Sequence, residues 1–282
     1  MSNTVAVAHL KSRALIALAG PDWRSFLQGL ITQDVETLAV GEARFGALLT
    51  PQGRLLYDLF VVGRAEGAWL DVEAAHREAI VQRLSMYRLR AKVEIAPDET
   101  PVFAAFDPHS GEAPAASPPL GEALAARDPR LLALGWRIYG EAKATVDEAA
   151  REAQKLRLGV PGPADWGSDK TYPIEANFDL LNGIDFKKGC FVGQETTSRM
   201  KRRGQVKSRM LPLRFEGPPP APGAEVLAGD LRAGVVTSSG DGGAIALLRL
   251  DRAEGASLTV EGRPVRLERP AWFLEALGEE AA

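Results

Sequence analysis

The segment Lys188-Gly189-Cys190-Phe191-Val192-Gly193-Gln194-Glu195 surrounds the single cysteine of this 282-residue chain. Lys187 and Lys188 precede the thiol, and adjacent cations favour the thiolate form of a cysteine. Cys190 is therefore a candidate reactive thiol, with Lys188 as the residue that tunes it. The alternative, a small buried hydrophobic residue, is common for a lone cysteine and stays open at this point.

Four residues of the same segment are suited to contact a small ligand. Gly189 and Gly193 lack a Cβ, so they permit close backbone approach and unusual backbone angles. Gln194 and Glu195 place an amide and a carboxylate beside that backbone. An amide and a carboxylate together suit a flat heterocycle with alternating hydrogen-bond donors and acceptors.

A run of cations follows this segment. Six of the eleven residues from 199 to 209 are basic: Arg199, Lys201, Arg202, Arg203, Lys207 and Arg209. Such a run can bind the anionic tail of a ligand, a phosphate backbone or the acidic face of a partner. A solvated strand or turn is the alternative.

The composition excludes several classes of protein. The chain is 45% hydrophobic and 25% charged with a net charge of −3, which indicates a folded protein and excludes a histone-like nucleic-acid binder. One cysteine excludes an internal disulfide and a four-thiolate metal site, and the three histidines form no metal-binding motif. We therefore expect a cytoplasmic protein without a metal site of its own, a membrane span or a secretory signal.

The first two-thirds of the chain mixes strands and helices without a regular βαβ rhythm, which predicts an α+β fold. Alternating and apolar runs predict strands at residues 10–18, 44–50, 54–62, 69–72 and 93–95. Helical spacing predicts helices from residue 22, over 73–90 and over 145–158. Thr50-Pro51-Gln52-Gly53 has Pro and Gly at positions that favour a tight turn, so the flanking strands are predicted to form a hairpin.

The last third is predicted to be all-β. The Pro-rich run at 217–223 is the strongest boundary signal, and the short β-type runs after it predict a small antiparallel barrel. Residues 131–139 predict a further strand, and residues 109–120, rich in Pro, Ala, Ser and Gly, predict a linker. We expect an α+β region of two subdomains over residues 1–205 and a barrel domain over residues 206–282.

The cysteine segment also resembles a family signature. Lys188 to Glu195, followed by Arg199, resembles the Lys-Gly-Cys-aromatic-x-Gly-Gln-Glu motif of the YgfZ family of folate-binding proteins, which has an Arg four residues on. That family is linked to iron–sulfur cluster assembly and repair, and it is similar in fold to the aminomethyltransferase, or T protein, of the glycine cleavage system. Weaker matches follow in the family's order at residues 26–35, 50–54, 87–93, 173–177 and 234–238.

The resemblance covers nearly the whole chain and implies a site as well as a fold. It implies three subdomains around a central site for tetrahydrofolate, with the pterin near the glycine-rich segment and the glutamate tail near basic side chains. Five residues match the signature directly: Lys188, Cys190, Gln194, Glu195 and Arg199. Arg90 and the cations at 201–203 are expected neighbours of the ligand.

The resemblance further implies a function and its partners. The protein would bind tetrahydrofolate and assist the assembly or repair of iron–sulfur clusters in client enzymes. Cys190 would act on, or transiently ligate, a cluster held mostly by a partner, because one thiolate is too few to hold a cluster alone. Iron–sulfur client or assembly proteins are the expected partners, and nothing in the sequence demands more than a monomer.

Two other functions stay open, and with them the question whether the chain is an enzyme. A folate-dependent one-carbon transferase would use Asp58, because the T-protein segment Gly-x-x-x-Asp-Asp-Leu corresponds here to residues 53–59, with Tyr57 in place of the other acid. The pterin-binding Glu that follows Arg-Leu in the T protein is Gly159 here, which argues against transfer. An RNA-binding module centred on residues 199–209 is the third possibility, disfavoured by the acidic overall balance.

Overall fold

The computed structural model describes residues 5–109, 114, 121–202, 206–241 and 243–278. The strands in these residues are β1 (Ala6–His9), β2 (Arg13–Ala19), β3 (Ala43–Leu49), β4 (Leu55–Gly63), β5 (Ala68–Glu73), β6 (Glu94–Asp98), β7 (Val102–Phe106), β8 (Leu124–Arg127), β9 (Trp136–Tyr139), β10 (Ser208–Phe215), β11 (Glu225–Ala228), β12 (Leu231–Gly240), β13 (Gly243–Arg249), β14 (Leu258–Val260) and β15 (Arg263–Leu267). The helices are α1 (Trp23–Gln28), α2 (Arg77–Arg88), α3 (Glu148–Leu158), α4 (Pro163–Trp166), α5 (Gln194–Arg202), α6 (Leu250–Ala253) and α7 (Ala271–Leu277).

Two antiparallel sheets build the first two subdomains. The first sheet has the strand order β3-β4-β5-β2-β6, and helices α1 and α2 pack their apolar side chains on it. The second sheet has the order β1-β7-β9-β8 and is covered by α3. Because β1 precedes the first sheet in the chain but pairs with β7, the second subdomain is discontinuous in sequence.

The hairpin of β3 and β4 forms where the sequence predicts it. The backbone N–H of Gly53 donates to the carbonyl of Thr50 at 2.8 Å, which closes the turn around Pro51. Gly53 has a φ of +84°, a value that glycine adopts at little cost.

Helix α3 carries polar residues into the interior. Asp147 caps its first turn by accepting from the N–H of Ala150, and Gly159 ends it in the left-handed conformation. Arg151, Gln154 and Lys155 on one face of α3 are buried rather than solvated. Such buried charges need partners, which makes this face a candidate for function.

The C-terminal subdomain is a closed six-stranded antiparallel barrel with the order β10-β13-β12-β11-β14-β15. The Pro-rich run at 217–223 is not a domain boundary, because β10 before it already pairs with β13 and β15 of the same barrel. The run instead connects β10 to β11 across one end of the barrel. The predicted α+β class with a C-terminal antiparallel barrel is confirmed.

Several elements differ from the sequence-based expectation. Strands β1, β7, β8 and β11 and helices α4, α5, α6 and α7 were not predicted, and residues 131–139 contain a short 3₁₀ turn before β9 rather than one strand. Most of the predicted linker at 109–120, and Arg203 with its neighbours Gly204 and Gln205, lie outside the described residues. In the part of the chain that the structure describes, no helix has the length and apolar character needed to cross a membrane.

Candidate functional site

The side chain of Lys188 is buried in a cage of backbone carbonyls. Its Nζ atom donates to the carbonyl oxygens of Gln28, Ile31 and Gln33 at 2.7, 2.8 and 2.7 Å. An ammonium group has three N–H donors, so the cage uses all of them. The cage therefore ties the cysteine segment to the loop that follows α1.

That Lys188 tunes Cys190 stays a prediction, without a hydrogen bond between these two described side chains. With its three donors occupied by carbonyls, the ammonium has none left for the thiol. Burial lowers the pKa of Lys188 to about 8, against the opposing effect of the carboxylates of Asp34 and Asp185. Lys188 is a positioning residue whose charge is held by backbone dipoles.

Cys190 itself is exposed and lies between two anchored neighbours. Phe191 is buried in a core formed where the three subdomains meet, and the N–H of Val192 donates to the carbonyl of Gly29 at 3.2 Å. A Cβ added to Gly189 would meet nothing within 4 Å. The structure therefore rejects the buried-hydrophobe alternative and presents the thiol to solvent on a fixed backbone.

Two glycines join the cysteine segment to the β3–β4 turn. Gly193 has a φ of +83°, and a Cβ there would lie 2.7 Å from the carbonyl oxygen of Thr50 and 3.0 Å from the Cα of Gly53. A Cβ on Gly53 would in turn lie 2.9 Å from the Cβ of Thr196. Both positions therefore require glycine, and the two segments singled out in the sequence contact each other.

Helix α5 places the remaining signature residues on the surface. Gln194 is half-buried at its first position, and Glu195 and Arg199 are exposed. The cationic run after the signature is divided, because Arg209 is buried and pairs with Asp179 at 2.9 Å. Arg209 is a structural residue and not part of a basic surface.

Arg90 lies apart from the signature. It is exposed just after α2, within a shallow depression that also contains Gly20, Pro21 and Lys92. The depression beside Arg90 contains none of the signature residues, and Lys188 is enclosed in its cage, so the structure does not bring Arg90 and Lys188 to one cavity.

Three adjoining cavities lie where the subdomains meet. They have volumes of about 180, 150 and 160 Å³ and share Pro163 and Ala164 in their walls. Asp58 and Glu73 line two of them, and Lys155 lines the first and the third. None of the predicted cofactor residues of the signature contributes to these walls.

Asp58 is held in the wall by an ion pair that the sequence did not predict. Its Oδ2 accepts from Nη1 of Arg13 at 3.0 Å, and Nε of Arg13 donates to Oδ1 of Asp71 at 2.7 Å. Burial opposes ionisation of Asp71, but Arg137 and Arg13 hold the pKa of its carboxyl below the usual value. Tyr139 donates to the same carboxylate at 3.1 Å, and burial together with this charge raises the pKa of its hydroxyl.

A second buried acid completes the network. Asp128 pairs with Arg130 at 2.7 Å and with Arg151 at 3.1 Å. Burial opposes ionisation here too, yet the charges of Arg130 and Arg151 keep the pKa of Asp128 low. Burial lowers the pKa of Arg151 to about 9, with Asp128 opposing. The inner wall of the first cavity is therefore a set of ionised, mutually paired side chains.

The cavities and the cysteine segment are separate places in the fold. Strand β4 runs from the turn that contacts Gly193 to Asp58, and at about 3.3 Å per residue the five residues from Gly53 to Asp58 span about 16 Å. The structure thus places the polar cavities near one end of this strand segment and the turn that contacts the cysteine segment at the other. Among the described residues, no group of three or more His, Cys, Asp or Glu side chains could hold a metal ion.

The comparisons with known proteins agree with this architecture. The family described as GCVT N-terminal domain matches residues 1–113, and the family described as CAF17, C-terminal beta-barrel domain, matches residues 207–275. The crystal structure of the glycine cleavage system aminomethyltransferase T from Bartonella henselae aligns with a TM-score of 0.74 over 93% of this chain and 84% of that one. At 19% identity this similarity shows the fold alone.

Relatives with higher sequence identity are named as iron–sulfur cluster assembly factor IBA57 or its homologue. The iron–sulfur cluster assembly factor IBA57, mitochondrial, of Mus musculus is 34% identical over 87% of this chain and 78% of its own length, and that of Homo sapiens is 34% identical over 79% and 71%. The homologue of Pyricularia oryzae is 33% identical over 74% of this chain. The chain spans only 57% of that fungal protein and 54% of the Neurospora crassa homologue.

These names correct one expectation. The prediction of a cytoplasmic protein is wrong by this comparison, because the relatives are named as mitochondrial proteins. The single cysteine excludes disulfides, but it carries no information that separates one reducing compartment from another.

With more than 30% identity over more than two-thirds of the mouse and human proteins, the chain belongs to the IBA57 family of iron–sulfur cluster assembly factors.

Proposed function

We propose that this protein assists the assembly or repair of iron–sulfur clusters, with Cys190 offering one thiolate to a cluster that a partner protein mostly holds. The observation that carries the proposal is the position of Cys190, exposed between the caged Lys188 and the buried Phe191. A thiol on a fixed, accessible backbone suits ligand exchange with a cluster carried by another protein. The names of the mouse and human relatives support the same role.

The chemistry follows from the number of ligands. A two-iron or four-iron cluster normally takes four protein ligands, and this chain has one cysteine. Cys190 loses its proton and its thiolate binds iron, while one thiolate of the donor leaves the same iron and takes up a proton. The exchange of one thiolate for another leaves the oxidation state of the iron unchanged. The cluster is cargo, and the same exchange in reverse releases it.

A partner-free experiment tests the role of Cys190. We would add a [2Fe–2S] cluster ligated by glutathione to the protein under anaerobic conditions and record visible circular dichroism. We expect a signal with the wild type and with the control Glu195→Gln, because the cluster becomes attached to a chiral protein, and no signal with Cys190→Ser. An equal signal from Cys190→Ser would contradict the proposal.

We further propose that tetrahydrofolate binds in the adjoining cavities rather than at the signature. The cavities adjoin and have volumes of about 180, 150 and 160 Å³. Taken together, these volumes fall within the range of about 300–1,000 Å³ that is usual for small-molecule sites. The carboxylates of Asp58 and Glu73 fit the N–H donors of a pterin, and Lys155 fits an anionic tail. When bound, tetrahydrofolate supplies a carrier for one-carbon units.

Calorimetry tests this assignment. We expect Asp58→Asn to weaken tetrahydrofolate binding by at least about tenfold, since a hydrogen bond to a charged carboxylate contributes about 1.5–3 kcal/mol. Glu73→Gln serves as a second variant if Asp58→Asn loses its fold because of the ion pair with Arg13. Glu195→Gln should bind as the wild type does. Weakening by Glu195→Gln alone, or no binding to the wild type, would contradict the assignment.

The presence of Asp58 in the cavity wall also favours a second candidate function, one-carbon transfer. Its carboxylate pairs with Arg13 and faces two of the three cavities. Turnover of an aminomethyl, methyl or formyl donor with tetrahydrofolate would support this function. Loss of turnover in Asp58→Asn with binding retained would assign Asp58 to the reaction, whereas no turnover by the wild type would exclude these donors.

A further inference from the structure

The end of α2 projects apolar side chains into solvent. Met86, Tyr87 and Leu89 are 69%, 39% and 89% exposed, and we call the segment Met86–Arg90 the α2 knob. Leu89 has a φ of +44° and a ψ of −105°, a strained conformation that non-glycine residues rarely adopt. A strained and almost fully exposed leucine points to a role in contact with another molecule.

The α2 knob is bordered by cations that have no acidic partner among the described residues. Arg88, Arg90 and Lys92 are exposed, and none forms an ion pair there. Arg83 lies 5.9 Å from the ring centroid of Tyr87 and adds a fourth positive charge. An apolar centre with a charged rim is the usual composition of a protein interface.

Positive charge also surrounds Cys190, within residues 187–202, which we call the Cys190 segment. Lys187, Arg199, Lys201 and Arg202 are exposed, and none forms an ion pair within the described part of the chain. Lys201 lies 4.8 Å from the ring centroid of Phe186, and Nε of Arg202 donates to the carbonyl of Ser198. Acids also occur nearby: Glu36, Glu94 and Glu195 are exposed, and Asp22 and Asp185 are half-buried, so the seven exposed cations of the two regions outnumber these five acids.

Helix α1 connects the α2 knob to the Cys190 segment. At its start, Asp22 accepts from the backbone N–H of Lys92 at 2.7 Å, and at its end the carbonyls of Gln28 and Gly29 accept from Lys188 and Val192. Six helical residues span about 9 Å. An interface of standard size buries about 800 Å² on each partner, an area wide enough to reach from one end of α1 to the other.

We propose that the α2 knob and the Cys190 segment form one docking face for an acidic, cluster-carrying protein. The partner would present an apolar pocket for Leu89 and Met86 within a rim of Asp and Glu side chains, and it would bring the remaining cluster ligands to Cys190. This inference rests on the proposed role in cluster assembly. It assigns Arg90 to partner recognition rather than to folate.

Site-specific photo-crosslinking in cells tests the docking face. A benzophenone amino acid would replace Met86, Lys187 or, as control, Leu231, which is 63% exposed on the barrel. We expect positions 86 and 187 to capture the same protein, and position 231 not to capture it. Mass spectrometry would identify that protein, which should be acidic and bind an iron–sulfur cluster when purified. Capture of different proteins, or of a basic protein or one without a cluster, would overturn the proposal.

Binding of the purified pair supplies the second measurement. We expect Arg88→Glu with Arg90→Glu to weaken Kd by at least about tenfold, and Leu89→Ser to do the same, because charge and an apolar anchor both contribute at such interfaces. Arg266→Glu, an exposed control on the barrel, should leave Kd unchanged. Unchanged Kd in the α2 knob variants would overturn the docking face.

The same assay separates this inference from the proposed function. Cys190→Ser should bind the partner within about twofold of the wild type, since the α2 knob and the cations supply the docking contacts. If the α2 knob variants lose binding while the wild type takes no cluster from glutathione, the docking face stands and the role of Cys190 fails. If Cys190→Ser alone abolishes binding, the docking face is wrong.

Discussion

Charged side chains are held in opposite ways at the two candidate sites. Around Asp58 the acids and arginines are buried and paired with one another, as in the contacts of Arg13 with Asp58 and Asp71. Around Cys190 the exposed cations form no ion pair among the described residues, and backbone carbonyls hold the buried ammonium of Lys188. The difference indicates two uses: a preorganised polar cavity for a small ligand, and an accessible surface for another protein.

The largest expected effect comes from breaking the buried network. Asp71→Asn leaves Arg13 and Arg137 without their shared carboxylate, and removal of one partner from a buried ion pair costs about 3–5 kcal/mol. Urea denaturation should show this loss in the free energy of unfolding. The matched control is Asp251→Asn, which breaks a surface pair with Arg249 and should not move the midpoint. A loss below about 1 kcal/mol for Asp71→Asn would show that the network is not structural.

The next effect comes from the contact between the cysteine segment and the β3–β4 turn. Gly193→Ala puts a methyl group 2.7 Å from the carbonyl oxygen of Thr50 at a φ of +83°, so we expect a loss of about 1–3 kcal/mol in thermal or urea unfolding. Gly189→Ala is the control, because open space surrounds that position, and it should change stability by less than about 0.5 kcal/mol. Equal losses at the two glycines would contradict the contact.

Lys188 should make stability depend on pH in the alkaline range. Burial lowers its pKa from 10.5 to about 8, so between these values the unfolded chain binds more protons than the folded one. Stability therefore rises with pH across this window. The free energy of unfolding of the wild type, minus that of Lys188→Met, should increase from about pH 7.5 to about pH 10. A difference that stays constant or falls would show that the caged amine keeps its charge.

The smallest effect is expected at Arg199, although it belongs to the signature. Its side chain is exposed and forms no ion pair with any residue that the structure describes, so Arg199→Ala should change the free energy of unfolding by less than about 0.5 kcal/mol. Tetrahydrofolate affinity, measured by calorimetry, should also be unchanged. Weaker folate binding in Arg199→Ala would indicate that the ligand binds at the signature, and it would contradict the separation of a folate cavity from a protein-binding surface.

Local patterns predicted much of the fold. The turn at Thr50–Gly53 followed from Pro and Gly positions, and helix α3 from its apolar spacing and its end at Gly159. The barrel strands followed from short β-type runs. Helix α5 was missed because it is rich in charged residues with little apolar periodicity, and the Pro-rich run at 217–223 was misread because a connection within a barrel has the same composition as a linker.

The candidate site was predicted only where its residues adjoin in sequence. Cys190 and its glycines form one segment, so the sequence showed them together. The buried network that holds Asp58 draws its residues from β2, β5 and β9. Long-range strand pairing alone brings Arg13, Asp71 and Arg137 into contact. One signal was present: Asp71 is an acid between the apolar residues Leu70 and Val72 of β5, where a buried charge requires a partner.

The most direct test of the central claim is the activity of cluster-dependent enzymes in cells that lack this protein and receive Cys190→Ser in its place. With Cys190→Ser, we expect these enzyme activities to stay as low as in the cells that lack the protein. Gly189→Ala should restore the activities, and both variants should accumulate as folded protein. Full restoration by Cys190→Ser would contradict the claim that the exposed thiol takes part in cluster assembly.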